Sequence, residues 1–124
     1  MSLVLLISDC ESEIEHIRDL ITLIGFDVDV VESPSDAGVF CQLRRPHAVV
    51  ADIEMQGGSG FEAISAVRSA SKDCFVIATT RGRHEDMWPI VGEVCGANAY
   101  VAGRLTREKI LSALPPDGNP LILH

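Results

Sequence analysis

The chain of 124 residues lacks any segment apolar enough to cross a bilayer. The apolar run Leu3–Ile7 is far shorter than the roughly 20 residues that a membrane-spanning helix needs. No basic segment followed by an apolar one marks a secretory signal, so we expect no membrane association and a cytoplasmic location. Positive charge is also scarce, because 10 Lys and Arg stand against 18 Asp and Glu, for a net charge of -8. Such a surface repels phosphate backbones, which argues against nucleic acid as a partner.

Paired-cysteine motifs are absent as well. The four cysteines form no CxxC pair, and no histidine lies at zinc-finger spacing from two of them. We therefore expect four free thiols in a reducing compartment. Apolar neighbours favour a place in the core for three of these residues, Cys41, Cys74 and Cys95.

Short apolar segments alternate with helical patterns five times along the chain. The segments are apolar on both faces, which is typical of strands inside a parallel sheet. We expect strands at Leu3–Ile7, Val28–Val31, Ala48–Ala51, Cys74–Thr79 and Ala99–Ala102.

The helical patterns carry recognisable beginnings and ends. A capping box of Ser12 and Glu15 is expected to begin the first helix, and Gly25 to close it. Ser33 followed by Pro34 is typical of the start of a second helix. The buried side of this second helix is expected at Val39, Phe40 and Leu43. A third helix is expected at Phe61–Val67, and a fourth at about Glu85–Cys95, with Pro89 in its first turn. The last helix is expected to follow the cap Thr106, with an apolar side of Ile110, Leu111 and Leu114.

This alternation predicts an α/β fold with helices on both faces of a parallel sheet. The expected architecture is a flavodoxin-like (βα)5 doubly wound sandwich with strand order 2-1-3-4-5. In that order a crevice opens at the carboxyl ends of the first and third strands, where the winding reverses. The domain is expected to span residues 1–114, and residues 115–124 to form a tail or the start of a linker.

Polar residues follow three of the predicted strands at that edge. Asp9 follows the first strand, Asp52 the third, and Thr79 ends the fourth. Two carboxylates in one crevice repel each other, and a hard divalent cation such as Mg²⁺ removes that repulsion. The alternative, that both aspartates only cap the following helices, is less favoured because Asp52 stands too far before Phe61.

Four stretches of this chain resemble the response-regulator receiver domain of bacterial two-component signalling. The resemblance spans residues 3–114, and its most specific part is the Asp-Ile-x-Met-x-Gly-x-x-Gly pattern after the third strand. The stretches are Leu6-Ile7-Ser8-Asp9-Cys10-Glu11, Asp52 to Gly60, Val76-Ile77-Ala78-Thr79-Thr80 and Gly96-Ala97-Asn98-Ala99-Tyr100-Val101.

The resemblance implies a phosphoacceptor domain rather than an enzyme, one that assists its own phosphorylation and dephosphorylation. Asp52 would accept a phosphoryl group from a phosphohistidine on a histidine kinase or histidine phosphotransferase. Mg²⁺ would be held by Asp9, the Asp52 carboxylate and the backbone carbonyl of Glu54. Thr79 would hydrogen-bond the phosphoryl group and form the switch pair with Tyr100. The output protein or domain is unidentified, and a homodimer stays open.

The chain departs from the family pattern at several positions. Cys10 stands where a second acid is expected after the first strand, and a thiol is a poor Mg²⁺ ligand. Acidic neighbours should raise the pKa of this thiol, which disfavours a redox role. Gly103 replaces the family's lysine, so Arg81 or Arg104 would have to supply the missing cation unless both are ordinary surface residues. Gln56 and Arg104 also stand where the family usually has proline.

Two functions of different class therefore stay open. The first is a phosphorylatable receiver with altered metal and switch chemistry, favoured by Asp9, Asp52 and Thr79. The second is a degenerate receiver that binds proteins independently of phosphorylation. A flavodoxin-like electron carrier is disfavoured, because the acidic stretch Asp9-Cys10-Glu11 would repel a flavin phosphate.

Overall fold

A computed structural model describes residues 3–55, 60–81, 86 and 88–113 of the chain. These residues contain a parallel five-stranded sheet with the order β2-β1-β3-β4-β5. The strands are β1 (Leu3–Ile7), β2 (Asp27–Val31), β3 (Ala48–Asp52), β4 (Phe75–Thr80) and β5 (Ala99–Ala102). The predicted doubly wound order is confirmed. It places the carboxyl ends of β1, β3 and β4 side by side at one edge.

Helices cover both faces of this sheet. They are α1 (Glu11–Ile24), α2 (Pro34–Arg44), α3 (Gly60–Ala70), a π-helix (Pro89–Val94) and α4 (Arg107–Ala113). Within the described part of the chain, none of them is long and apolar enough to cross a membrane.

The core consists of two apolar layers, one on each face. Leu5 and Ile7 of β1 point into the layer that α2, α3 and the π-helix cover. Val4 and Leu6 point into the opposite layer, beneath α1 and α4. Since successive side chains of a strand alternate between the faces, the central strands are buried on both sides. The residues that follow these strands are therefore carried by the most tightly packed part of the fold.

Three of the predicted helix boundaries are confirmed. Gly25 ends α1 in the left-handed conformation with φ of 113°, which costs glycine little. The Ser33 hydroxyl accepts a 3.2 Å hydrogen bond from the Asp36 N–H at the start of α2. Thr106 accepts a 3.2 Å bond from the Lys109 N–H at the start of α4.

The predicted capping box at the first helix is wrong. Cys10 occupies the cap position of α1 and makes no side-chain capping bond, while Ser12 lies inside the first turn. The chain enters the helix earlier than expected because the Ser8 hydroxyl accepts the Cys10 N–H at 3.3 Å. The Cys10 carbonyl then accepts the first helical bond, from Ile14 at 2.9 Å.

The predicted buried side of α2 is wrong at two of its three positions. Val39 is 55% exposed and Leu43 is 77% exposed, whereas the small residues Ala37 and Cys41 are buried. The reason is close packing between α2 and α3. A Cβ placed on Gly38 would be in van der Waals contact with Ala66 on α3, at 3.7 Å, so the two helix backbones approach each other where small residues line α2.

The region between β4 and β5 also differs from the prediction. Strand β4 begins at Phe75 rather than Cys74, and the helix described here is a six-residue π-helix that begins at Pro89. Its wider turn is seen in the 2.9 Å bond from the Cys95 N–H to the Ile90 carbonyl. Glu85 and Met87 of the predicted helix, together with Gln56, Leu114 and the expected tail 115–124, lie outside the described residues.

Candidate functional site

Asp52 is the buried charge at the carboxyl edge of the sheet. It ends β3 and is only 1% exposed. Its Oδ1 accepts a 2.8 Å hydrogen bond from the Glu54 N–H, and its Oδ2 accepts one of 3.1 Å from the Ser8 hydroxyl. The Arg81 guanidinium lies 3.5 Å from the same Oδ2. A buried carboxylate is stable only with such compensation, which these three groups supply.

Ser8 is a site residue that sequence reasoning missed. It is fully buried at the end of β1, next to the register pair of Ile7 and Ala51. Because a backbone N–H can only donate, the Cys10 N–H fixes Ser8 Oγ as its acceptor. The hydroxyl proton is thereby left for Asp52. The parallel register of β1 and β3, which carries the residue after Ile7 to the side of Asp52, locates Ser8 only once the structure is known.

Arg81 brings the positive charge to this site. It follows β4, and its Nη2 donates a 2.9 Å hydrogen bond to the Glu54 carbonyl while lying beside Asp52. Its backbone N–H donates to the Glu54 carboxylate. Partial burial of the guanidinium opposes its charge, but the facing charges of Asp52, Cys10, Glu54 and Glu13 outweigh burial and raise the pKa of Arg81.

Arg104, the other candidate cation, points elsewhere. Its Nη2 lies 3.2 Å from Nδ1 of His16 on α1, and His16 Nε2 lies 2.7 Å from the Leu105 carbonyl. Of the two arginines singled out from the sequence, Arg81 is therefore the one that reaches Asp52.

The remaining sequence-predicted residues surround the edge at different depths. Asp9 is half-buried directly after Ser8. Thr79 is buried beside Asp52 in the register, and its hydroxyl donates a 3.4 Å bond to the Ala51 carbonyl. Tyr100 lies on β5 next to Ala78 and packs, half-buried, against the core layer under α3. Asp9, Asp52, Glu54 and Thr79 therefore lie at one edge, as predicted.

The Cys10 thiol faces the first turn of α1. Its Sγ lies 3.4 Å from the Ser12 hydroxyl. Hydrogen bonds from Ser12 and from the Glu13 N–H lower the pKa of Cys10 and outweigh the opposing effect of burial, and the Arg81 charge lowers it further. The expectation that acidic neighbours raise this pKa is wrong. Cys41, Cys74 and Cys95 are buried free thiols, as expected.

Gly103 directly follows β5 in the left-handed conformation, with φ of 80°. The Lys109 ammonium from α4 lies close by and donates 3.1 Å bonds to the carbonyls of Ala102 and Arg104. These bonds hold the Lys109 ammonium against the backbone on either side of Gly103, in space that a side chain at position 103 would enter.

The oxygen donors of the site suit a hard divalent cation. Mg²⁺ prefers carboxylate and carbonyl oxygens, and Asp52 and the Glu54 carbonyl converge on one point. Over the described ranges, no three His, Cys, Asp or Glu side chains form a metal-binding group. The predicted ligand set therefore depends on that carbonyl, which the Arg81 guanidinium already bonds.

Comparison with known proteins gives consistent matches. The response regulator receiver domain family matches residues 4–115. Photosynthetic apparatus regulatory protein RegA of Cereibacter sphaeroides is 22% identical over 125 residues, which cover 94% of this chain and 67% of that protein.

Two solved structures share the fold. A response regulator protein of Burkholderia pseudomallei, with a phosphorylated aspartic acid, a calcium ion and citrate, superposes with a TM-score of 0.81 at 20% identity, covering 94% of this chain and 68% of that one. The receiver domain of sensor histidine kinase PA1611 of Pseudomonas aeruginosa PAO1, with magnesium in its active site cleft, has a TM-score of 0.78 at 19% identity and covers 90% of this chain and 92% of that one.

Proposed function

The chain belongs to the response regulator receiver domain family of two-component signalling, and we propose that it accepts one phosphoryl group on Asp52. The donor would be a phosphohistidine on a histidine kinase or histidine phosphotransferase. The observation that carries the proposal is the Asp52 carboxylate, buried at the crevice and contacted by the Ser8 hydroxyl, the Arg81 guanidinium and the Glu54 N–H.

The transfer balances without a further reactant. An Asp52 oxygen attacks the phosphorus, the P–N bond breaks, and its electron pair returns to the donor imidazole. Ser8 and the Glu54 N–H orient the carboxylate for this attack. Arg81 stabilises the negative charge of the arriving group, since a guanidinium pairs well with phosphate oxygens.

We propose Mg²⁺ as the cofactor, held by Asp9, Asp52 and the Glu54 carbonyl. When bound, it would neutralise charge on the carboxylate and on the transferred group. The Thr79 hydroxyl would leave the Ala51 carbonyl for a phosphoryl oxygen, and Tyr100 would fill the space behind it. The protein would act on its own phosphoryl group rather than on a separate substrate.

Receiver domains generally interact with histidine kinases and output domains. We propose that this one works in the cytoplasm, where its phosphodonors act, and that it passes the signal to an output protein or domain. A homodimer stays a prediction.

The second candidate is a phosphorylation-independent protein-binding module. One observation favours it: Asp52 is already compensated by the chain's own serine, arginine and backbone N–H, without a bound ion or a phosphoryl group.

Intact-mass analysis separates the two functions. The protein would be mixed with Mg²⁺ and a small phosphodonor such as acetyl phosphate, beside the variants Asp52→Asn and, as a control, Asp19→Asn on the exposed side of α1. We expect the wild type and the control to gain the mass of one phosphoryl group and Asp52→Asn to gain none. No gain by the wild type at any Mg²⁺ concentration would favour the second candidate.

A further inference from the structure

The Arg81 guanidinium occupies the point where two oxygen donors converge. Its Nη2 bonds the Glu54 carbonyl at 2.9 Å and lies 3.5 Å from Asp52 Oδ2. These are two of the three groups that the proposed function assigns to Mg²⁺. One positive group therefore already lies between the oxygens that a divalent ion would need.

Arg81 is held in this place from two directions. Its backbone N–H bonds the Glu54 carboxylate, while its side chain bonds the carbonyl of the same residue. Only about a third of the side chain is exposed. The guanidinium is thus a built part of the site rather than a mobile surface charge.

The charges at this edge agree with that role. The residue directly beside Asp52 is Ser8, which is neutral. A carboxylate at the same position would require a second cation. Among the described residues, Arg81 is the cation that forms an ion pair with Asp52. A divalent ion entering with Arg81 still in place would meet a like charge at contact distance.

We propose that Arg81 is a resident counter-cation that competes with divalent metal for Asp52 and the Glu54 carbonyl, so that metal binds these two groups only when the guanidinium releases them. This inference rests on the proposed function for the identity of the metal ligands. Under this inference Arg81 sets the affinity of the site for metal, and thereby the ease with which Asp52 is phosphorylated.

Titration of Mg²⁺ without any phosphodonor tests the competition. Heats of binding and Trp88 fluorescence would be followed for the wild type, Arg81→Ala and Arg81→Gln. The control is Arg104→Ala, which removes an arginine bonded to His16 instead. We expect Arg81→Ala and Arg81→Gln to lower the Kd for Mg²⁺ at least about tenfold, the factor that one hydrogen bond to a charged group corresponds to. Arg104→Ala should leave the Kd unchanged.

Chemical rescue adds a readout that a merely structural role would not move. Ethylguanidinium added to Arg81→Ala should raise the Kd for Mg²⁺ again, in proportion to its concentration, and should leave Arg104→Ala unaffected. Arg81→Gln keeps a neutral amide donor for the Glu54 carbonyl, so it serves as the folded variant if Arg81→Ala proves unstable.

Unchanged or weaker Mg²⁺ binding in both Arg81 variants, including no binding in any variant, would overturn the competition. The outcome is distinguishable from failure of the proposed function. Tighter Mg²⁺ binding without phosphorylation of Asp52 would support the inference and refute the function. Phosphorylation of Asp52 with unchanged Mg²⁺ affinity in the Arg81 variants would do the reverse.

Discussion

Ser8→Asp would place a second carboxylate directly against Asp52. Ser8 Oγ lies 3.1 Å from Asp52 Oδ2, and both residues are buried. Two unit charges about 4 Å apart repel by about 4 kcal/mol at an effective dielectric constant of about 20. Loss of the hydroxyl donor costs about 1.5–3 kcal/mol more, and attraction of the new carboxylate to Arg81 offsets part of the total. We expect the variant to lose about 2–5 kcal/mol of unfolding free energy at neutral pH without divalent ions.

The loss should depend on pH with a definite sign. Repulsion by Asp52 raises the folded-state pKa of the introduced carboxyl above its unfolded value of about 3.9. The folded variant therefore binds the extra proton more readily than the unfolded chain. Its deficit relative to the wild type is fully present above the raised folded pKa and disappears as pH falls below about 3.9. A bound Mg²⁺ would also remove the deficit, by RT ln(1 + [Mg²⁺]/Kd).

Urea denaturation followed by Trp88 fluorescence measures these effects. Ser8→Asn is the matched control, since it has nearly the same size as the aspartate and no charge. The two variants should differ by several degrees in Tm or a corresponding shift in urea midpoint at neutral pH, and converge in acid or in Mg²⁺. Equal stability of Ser8→Asp and Ser8→Asn at neutral pH without metal would refute the placement of Ser8 against a charged Asp52.

Three further variants or treatments probe separate parts of the site. Cys10 should be the first thiol alkylated by iodoacetamide, and at lower pH than free cysteine, because the Ser12 hydrogen bond lowers its pKa; peptide mapping by mass would contradict this if all four cysteines reacted alike. Gly60→Ala should cost about 3 kcal/mol or more in urea denaturation, because its Cβ would lie 2.3 Å from the Cα of Ile53; wild-type stability would show that α3 can shift freely. Gly103→Lys should cost about 1–2 kcal/mol, since φ is 80° there, and more than Gly103→Asn; equal thermal stability of the two would contradict the strain.

The order of strands and helices was predictable because the signals are local. Leu3–Ile7 is apolar on both faces, as buried strands are. Ser33 followed by Pro34 is typical of the start of a helix. The buried side of α2 was not predictable in the same way. Large apolar residues such as Leu43 define a helical stripe in the sequence, but α2 meets α3 so closely that the stripe of Ala37 and Cys41 is buried instead.

The candidate site was predictable only where position along a strand decides the place of a residue. Asp52 follows a buried strand, so its place at the carboxyl edge followed from the pattern. Ser8 depends on the register between β1 and β3, which a single sequence does not reveal. The choice between Arg81 and Arg104 depends on where a long side chain points, and neighbouring groups decide that: Glu54 holds one and His16 the other.

Ser8 and Arg81 both make the site less negative than it would be with an acidic residue at position 8 and no cation at position 81. A neutral side chain beside Asp52 removes negative charge, and a guanidinium beside the same oxygen adds positive charge. Without Arg81, Asp52 would keep only its two hydrogen-bond donors, and with an acid at position 8 one guanidinium would face two carboxylates. Together they match one carboxylate with one guanidinium and two hydrogen-bond donors, the Ser8 hydroxyl and the Glu54 N–H. Because Asp52 already has these partners, we expect the response to a divalent cation to depend on how readily Arg81 is displaced as well as on the number of carboxylates.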